Sequence, residues 1–264
     1  MRKQIRKFLR KRGYDIVKIE KPVKPFKGES KYEQYSYHPT PIGNYYLPKG
    51  IQNDIIAYYM ERGQFFEPEV IGLAKKFIKP GTIVLDIGAN FGQMSVAFAE
   101  LVGDAGKVYS FEAQKLVFDV LSNNAAANYP DRIQPFYAAV YNEAGKKMVF
   151  PDPDFSQFTT YGSFGFGSNN SEGTEVTSIT IDSLNFDKPI SFMKVDVQGC
   201  DLFAMQGATE TIRKHRMPIL FEFEQQFQEQ FNTNFQQYVD FARSINYRFS
   251  ETILNINFLL LPND

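Results

Sequence analysis

The sequence is poor in cysteine, lacks tryptophan and contains no long apolar run. Its single cysteine, Cys200, excludes an internal disulfide and a zinc site built from several cysteines. No apolar stretch approaches the ~20 residues of a membrane-spanning helix. The basic first residues are followed by no apolar segment of the signal-peptide type, so we expect no signal peptide and a cytoplasmic location.

Two common nucleotide-binding motifs are also missing. The sequence has no G-x-x-x-x-G-K-[ST] phosphate-binding loop, and residues 88–92 lack the middle glycine of the dinucleotide motif G-x-G-x-x-G. A nicotinamide-dependent oxidoreductase is therefore a disfavoured alternative.

The overall composition is that of a globular protein whose charge is unevenly distributed along the chain. The chain has 264 residues, of which 43% are hydrophobic, enough for one large α/β domain and an extension. Its net charge is −1, yet residues 1–27 hold eleven basic and two acidic residues. We expect residues 1–50 to be a basic helix followed by a Pro- and Tyr-rich irregular extension, and residues 51–264 to form the main domain.

The basic segment has several interpretations. Residues 1–12 predict a short helix in which Ile5, Phe8 and Leu9 form a narrow apolar stripe among lysines and arginines. Such a helix suits peripheral contact with the anionic inner face of a membrane. It equally suits a solvated helix, or one packed on the domain or on a second subunit of an oligomer. No nucleic-acid-binding pattern accompanies it, so we expect no nucleic-acid partner.

The centre of the sequence is a short apolar run that ends at Asp86 and is followed by Gly88, Asn90 and Gly92. The run predicts a buried strand, the glycines a tight turn beside a ligand, and residues 93–102 a helix. The pattern D-x-G-x-x-x-G resembles motif I of class I S-adenosylmethionine (SAM) methyltransferases. A carboxylate there would favour the cationic sulfonium of SAM. Equilibrium binding of SAM against NAD would separate this interpretation from a nicotinamide-dependent oxidoreductase. The alternative is an ordinary turn with structural glycines.

Strands and helices alternate along the rest of the chain. This predicts an α/β fold with a mostly parallel sheet, helices on both faces and an antiparallel pair of strands at the C-terminus. The second strand ends at Glu112, whose carboxylate suits the two ribose hydroxyls of a cofactor, although it could be a surface residue in a turn. Residues 133–140 predict a third strand, whose end would border the adenine pocket.

A long segment interrupts the alternation. Residues 152–173 are rich in Gly, Ser, Asn and Phe. Loops of this length are usually functional or disordered. Its aromatic residues suit a lid that stacks on a sugar, although they could instead pack on the core.

Acidic residues follow several predicted strands. Asp86, Glu112, Asp196 and Glu224 all fall at carboxyl ends, and Glu222 lies on the same side of its strand as Glu224. The carboxyl ends of parallel strands meet at one edge of a sheet, where ligands bind. We therefore expect these carboxylates to converge on one site.

In their order along the chain, several segments resemble the FkbM family of SAM-dependent methyltransferases. The resemblance covers about residues 65–250 and is carried by residues 66–69, 79–92, 111–112, 193–199, 207–208 and 218–224. It implies a class I, Rossmann-like methyltransferase domain. It also implies transfer of a methyl group to a hydroxyl of a sugar, a glycan or a glycosylated natural product.

The resemblance also implies site residues. Asp196 becomes the candidate general base, and Glu224 would orient the acceptor or share a magnesium ion with Asp196. We expect partial burial near Glu224 to raise the pKa of Asp196. His38 and His215 are weaker candidates. The residues expected to bind SAM are Glu67, Asp86, Gly88, Asn90, Gly92, Glu112 and Ala139.

One position departs from the family pattern. The family usually has Asp-Val-Glu-Gly after the fourth strand, whereas this chain has Asp196-Val-Gln-Gly. Gln198 can hydrogen-bond but cannot act as a base. This leaves open an alternative function, a SAM-binding protein with the methyltransferase fold and a non-catalytic role.

Overall fold

The computed structural model describes residues 34–49, 54–150 and 173–264. The predicted basic helix and residues 152–172 of the predicted lid lie outside these ranges. Within them, no helix is both long and apolar enough to cross a lipid bilayer.

Helices and strands alternate through most of the described chain. The helices are α1 (Ile55–Glu61), α2 (Pro68–Ala74), α3 (Gln93–Val102), α4 (Lys115–Asn128), α5 (Asp201–Gln206), α6 (Thr209–His215), α7 (Gln225–Phe231) and α8 (Phe235–Ser244). The strands are β1 (Tyr35–Thr40), β2 (Gly43–Pro48), β3 (Ile83–Ile87), β4 (Lys107–Glu112), β5 (Ile133–Tyr137), β6 (Ala139–Val140), β7 (Lys147–Phe150), β8 (Thr174–Ile179), β9 (Ile190–Val195), β10 (Ile219–Glu222), β11 (Tyr247–Ile253) and β12 (Asn257–Pro262).

The main sheet has seven strands in the order β11-β12-β10-β9-β3-β4-β5. Strands β5, β4, β3, β9 and β10 run parallel, whereas β12 is antiparallel to both β10 and β11. The prediction of a mostly parallel sheet with an antiparallel C-terminal pair is confirmed.

Strand β3 lies at the centre, and all five of its residues are buried. On one face, Val84 packs in a cluster with residues of α3 and α4 such as Phe98 and Val120. On the other, Leu85 packs with residues of α5 and α8 such as Leu202. An unbroken apolar strand is required here because helices cover both faces of the sheet.

The predicted strand of residues 133–140 is divided between two sheets. Strand β5 pairs with β4 in the main sheet, whereas β6 pairs with β8 in a three-stranded sheet of order β6-β8-β7. The register of β4 and β5 ends at Glu112 opposite Tyr137. Beyond that point the chain turns to a new partner, and the N–H of Tyr141 donates to the carbonyl of Ile179. The prediction of one continuous strand was therefore wrong in its second half.

The sequence predicts one helix over residues 202–213, whereas the structure has a break there between α5 and α6. A Cβ on Gly207 would lie 2.0 Å from the carbonyl oxygen of Tyr141, so the chain passes too closely for a side chain. The Asp182 carboxylate then accepts hydrogen bonds from the N–H groups of Glu210 and Thr211, at 3.0 and 2.8 Å, in the first turn of α6. The side chain of a residue distant in sequence thus caps the N-terminus of α6.

Residues 35–48 form an antiparallel hairpin where the sequence predicts an irregular extension. Two asparagines on α4 hold strand β2. Asn124 Oδ1 accepts from the N–H of Tyr46 at 2.6 Å, and Asn128 Oδ1 accepts from the N–H of Asn44 at 2.8 Å. Side-chain amides satisfy backbone groups that would otherwise lie at an open strand edge.

Candidate active site

A cavity of about 260 Å³ opens at the carboxyl ends of β3, β4, β9 and β10. This edge of a parallel sheet is where open α/β folds bind ligands. Residues of α1, α3 and α4 complete its wall. Of the predicted site residues, Glu67, Gly88, Asn90, Glu112, Ala139, Asp196 and Glu224 line it.

The two glycines of the central turn have different roles. Both have positive φ, 78° at Gly88 and 86° at Gly92, which favours glycine. Gly88 lines the cavity, and a Cβ there would lie 1.8 Å from the carbonyl oxygen of Asp196. Gly92 instead faces α4, where a Cβ would lie 2.7 Å from Leu121 Cδ1. Gly88 therefore allows the chain segments after β3 and β9 to approach beside the cavity, and Gly92 allows helix packing.

Asp86 lies behind the cavity wall and is fully buried. Its Oδ2 accepts a hydrogen bond from Ser95 Oγ at 2.5 Å, and its Oδ1 has no hydrogen-bond partner among the described residues. Burial raises the pKa of Asp86, opposed by the charge of Lys194 and the hydrogen bond from Ser95. Its carboxylate thus connects β3 to α3. Because Asp86 does not line the cavity, it can act on a ligand only through its electrostatic field and not by direct contact.

Glu112 lies at the end of β4 with its carboxylate in the cavity wall. Its Oε2 accepts from the N–H of Asn90 at 3.0 Å, and its Oε1 accepts from the N–H of Gln114 at 2.8 Å. Burial raises the pKa of Glu112 to about 7, although these backbone hydrogen bonds oppose the shift. An ionised carboxylate offers about four lone-pair sites. After the two backbone bonds, Glu112 can still accept from two ligand hydroxyls.

The cavity wall beyond Glu112 is largely apolar. Val117 from α4 lies on one side, and Ala138, Ala139 and Val140 lie at the crossing from β5 to β6. Small and aliphatic side chains around a narrow space suit a flat aromatic base. Ala139 lies in this wall on the short strand that leaves the main sheet, and its contact with the cofactor stays a prediction.

The opposite end of the cavity is charged. Lys194, only 5% exposed, donates from Nζ to Asp196 Oδ2 at 2.9 Å. Burial alone would raise the pKa of Asp196, but the Lys194 charge and hydrogen bonds from Lys194, Glu222 and Gln198 lower it below its ordinary value. The expectation that burial near Glu224 raises this pKa was wrong, because Lys194 is the dominant neighbour.

Glu222, the last residue of β10, is the acid that lies beside Asp196, where we expected Glu224. Gln198 Nε2 donates to Asp196 Oδ1 and to Glu222 Oε2, both at 3.1 Å. Burial and the charge of Asp196 raise the pKa of Glu222. Glu224 also lines the cavity, but it follows the strand and accepts a hydrogen bond from Gln226 at 2.8 Å.

Lys194 was missed by the sequence analysis, although a signal existed. It is the one charged residue in the otherwise uncharged strand β9, all of which is buried. Lysine is almost never buried unless it is paired. A lysine within a buried strand therefore predicts an acidic partner nearby, and Asp196 was the available residue.

Glu67 and the two histidines complete the predicted residues. Glu67 lines the cavity in a left-handed conformation with φ of 51°, and burial raises its pKa, opposed by the charge of Lys194. His38 lies on the hairpin with Nε2 2.7 Å from Ser36 Oγ. His215 Nδ1 accepts from the N–H of Ile190 at 3.2 Å. Both histidines lie outside the cavity wall.

The predicted magnesium ligands do not form a typical metal cluster. In residues 34–49, 54–150 and 173–264, no group of three or more His, Cys, Asp or Glu side chains has the arrangement for a metal ion. Both oxygens of Asp196 already accept hydrogen bonds, from Lys194 and from Gln198. Asp196 and Glu224 therefore do not by themselves fit a magnesium site.

Comparison with known proteins gives a family match. A family model described as the methyltransferase FkbM domain matches residues 86–249, whereas no curated protein matches the chain. Among solved structures, the chain is similar to the methyltransferase FkbM from Methylobacillus flagellatus, with 17% identity and a TM-score of 0.45, over 74% of this chain and 50% of that one. It is also similar to a SAM-dependent O-methyltransferase from Thermotoga maritima, with 12% identity and a TM-score of 0.45, over 87% of this chain and 85% of that one.

Proposed function

The chain belongs to the FkbM family of SAM-dependent methyltransferases, and on this premise we propose that it methylates a hydroxyl group of a sugar, a glycan or a glycosylated natural product. SAM dependence and methyl transfer come with the family. The hydroxyl acceptor and its carbohydrate character are the proposed part. When bound, SAM supplies an electrophilic methyl group.

The described residues fit SAM with its adenosine at the Glu112 end of the cavity. In this arrangement, Glu112 would accept hydrogen bonds from the two ribose hydroxyls, and Val117 and Ala139 would border the adenine. The amino-acid part would be held toward Glu67 and Lys194. Carboxylates in this region favour the positive charges of the cofactor, and Lys194 offers a partner for its carboxylate.

The single observation that carries the acceptor assignment is the Asp196 carboxyl group in the cavity wall, 2.9 Å from Lys194 Nζ. It lies at the carboxyl end of β9, and Lys194 keeps its pKa low. Bound SAM would supply the methyl group to the acceptor oxygen, and Asp196 would accept the proton that this oxygen loses. The hydroxyl proton becomes strongly acidic during this step, so even a weakly basic carboxylate can accept it.

The test is transfer from SAM to a panel of sugars and glycans. Each acceptor is paired with the same compound with all hydroxyls blocked as methyl ethers, and S-adenosylhomocysteine and product mass are measured. We expect product only from the free hydroxyl compounds. Methylation of amines instead of hydroxyls would contradict the acceptor class. Calorimetric SAM binding without turnover on the whole panel would support the non-catalytic alternative.

Substitution of Asp196 tests its role in the same assay. Asp196→Asn keeps the shape of the side chain but removes the base, so turnover should fall by roughly 10²–10⁴-fold with little change in SAM affinity. Near-normal turnover of a folded Asp196→Asn protein would remove Asp196 from the reaction. Turnover that EDTA abolishes and magnesium restores would instead show that a metal ion takes part in the reaction.

A further inference from the structure

We propose that Asp196 and Glu222 share one proton as a single pair, bridged by the Gln198 amide, and that this pair receives the proton of the acceptor hydroxyl. The part played in transfer rests on the proposed function. The existence of the pair rests on the contacts of the described residues alone and can be tested without an acceptor.

The bridge is defined by two contacts of the Gln198 amide. Gln198 Nε2 lies 3.1 Å from Asp196 Oδ1 and 3.1 Å from Glu222 Oε2. Because both neighbours are carboxyl oxygens, the donating nitrogen of the amide must face them. One amide nitrogen thus holds two carboxyl groups close together, and both Gln198 contacts lie at a buried strand end. Two carboxyl groups this close do not both ionise readily, so one of them keeps its proton.

The position of that proton follows from the surroundings. Asp196 receives the Lys194 ammonium at 2.9 Å in addition to the amide, so it keeps its negative charge. Glu222 is only 9% exposed, and burial with the nearby Asp196 charge raises its pKa. The proton therefore resides on Glu222, beside the charged Asp196.

Among the described residues, the other charged groups that face the pair are acidic apart from Lys194. Glu67 before α2, Asp86 on β3 and Glu112 on β4 act on Asp196. Asp201 on α5 and Glu224 after β10 act on Glu222, and their negative charges favour its neutral form. Asp201 is committed elsewhere, since it accepts from the N–H groups of Val197 and Gly199 at 3.2 and 3.1 Å.

The backbone holds Gln198 in the bridging position. Its φ is 51°, in the left-handed region that residues with a side chain rarely adopt. Gly199 follows with φ of 90°, and a Cβ there would lie 2.9 Å from the carbonyl oxygen of Phe227. Such conformations persist only where the surroundings impose them, and they concentrate at functional sites.

Carboxyl ¹³C NMR of the full protein, with labelled Asp and Glu, tests the shared proton. Glu222→Gln and Asp196→Asn spectra assign the two signals. We expect the Glu222 signal to report a protonated carboxyl at neutral pH, while the Asp196 signal reports a carboxylate. Titration of Glu222 near the ordinary glutamate pKa of about 4.3, independent of Asp196, would overturn the proposal.

A charge substitution of the bridge gives a second test. Gln198→Glu replaces a donor to two carboxyl groups with a third acid, whereas Gln226→Glu makes the same change beside Glu224 on the exposed side of α7. The carboxyl introduced at position 198 would have a pKa in the folded variant above its unfolded value, because two acids surround it. The loss of folding stability caused by this carboxyl is therefore absent at low pH and grows as pH rises.

We expect the Gln198→Glu protein to lose several degrees of melting temperature relative to wild type at pH 8 and much less at pH 5. The Gln226→Glu protein should differ little between the two. An equal loss at both pH values for Gln198→Glu would overturn the bridge, and if this variant does not fold, the wild-type NMR titration decides. If the protein methylates hydroxyls but its two carboxyl groups titrate independently, only the shared proton is refuted. If the two carboxyl groups share a proton but no hydroxyl is methylated, only the proposed acceptor class is refuted.

Discussion

Replacing Glu112 with Gln should weaken SAM binding by about 10- to 150-fold. Both carboxylate oxygens are fixed by backbone N–H groups, from Asn90 and Gln114, so the side chain cannot reorient without losing one of them. Glutamine keeps one acceptor oxygen and replaces the other with a donor, which faces either a backbone N–H or a ribose hydroxyl. The loss is about one charge-assisted hydrogen bond, or roughly 1.5–3 kcal/mol, which converts to the stated range.

Calorimetric titration of SAM at pH 8 measures this change. Glu100→Gln is the matched control, because Glu100 is exposed on α3 outside the cavity wall and should bind SAM as wild type does. Since the pKa of Glu112 in the free protein is about 7, SAM affinity of the wild type should fall as pH is lowered from 8 to 6. That dependence should be reduced in Glu112→Gln. Equal affinity of both variants at pH 8 would remove Glu112 from the cofactor site.

Two further predictions concern stability. Gly88→Ala places a methyl group against the carbonyl of Asp196 at a residue with positive φ. We expect chemical denaturation to show a free energy of unfolding lower by roughly 3 kcal/mol or more. The control Gly72→Ala, with open space around its helix position, should be neutral or stabilising by up to ~1 kcal/mol. Burial raises the pKa of Glu112 and Asp201 to about 7 from ordinary values of 4.5 and 3.8, so stability of the ligand-free protein should fall as pH rises from about 4 to 7, by roughly 3–4 kcal/mol for each group. A melting temperature that rises over this interval would contradict the assigned directions.

The sequence predicts the elements whose pattern is local. The apolar run of β3 and its glycines identify the centre of the sheet, and the alternation identifies the parallel architecture. The breaks depend on contacts between distant residues. Strand β5 ends where its partner β4 ends, and the break after α5 is imposed by the carbonyl of Tyr141 against Gly207. Neither partner can be identified from the local pattern alone.

The same distinction applies to the site. Glu112 and Asp196 are found by position, because strand ends at one edge of a parallel sheet converge. Which acid meets Asp196 depends on where β10 ends, and it ends at Glu222 rather than at Glu224. The role of Gln198 depends on a backbone conformation that its sequence neighbourhood does not specify.

Three non-glycine residues with left-handed backbone line the cavity, each on a different connection at the carboxyl edge of the sheet. Their φ values are all 51°, at Glu67, Asn90 and Gln198. This conformation is unfavourable for a side-chain-bearing residue, so each must be held by its contacts. The Asn90 N–H is bound to the Glu112 carboxylate, and the Gln198 amide to Asp196. The groups proposed to bind ribose and to accept the hydroxyl proton thus also fix the turns around the cavity. A substitution at either acid is therefore expected to change turn geometry as well as chemistry, which is why the charge-only variants are the informative ones.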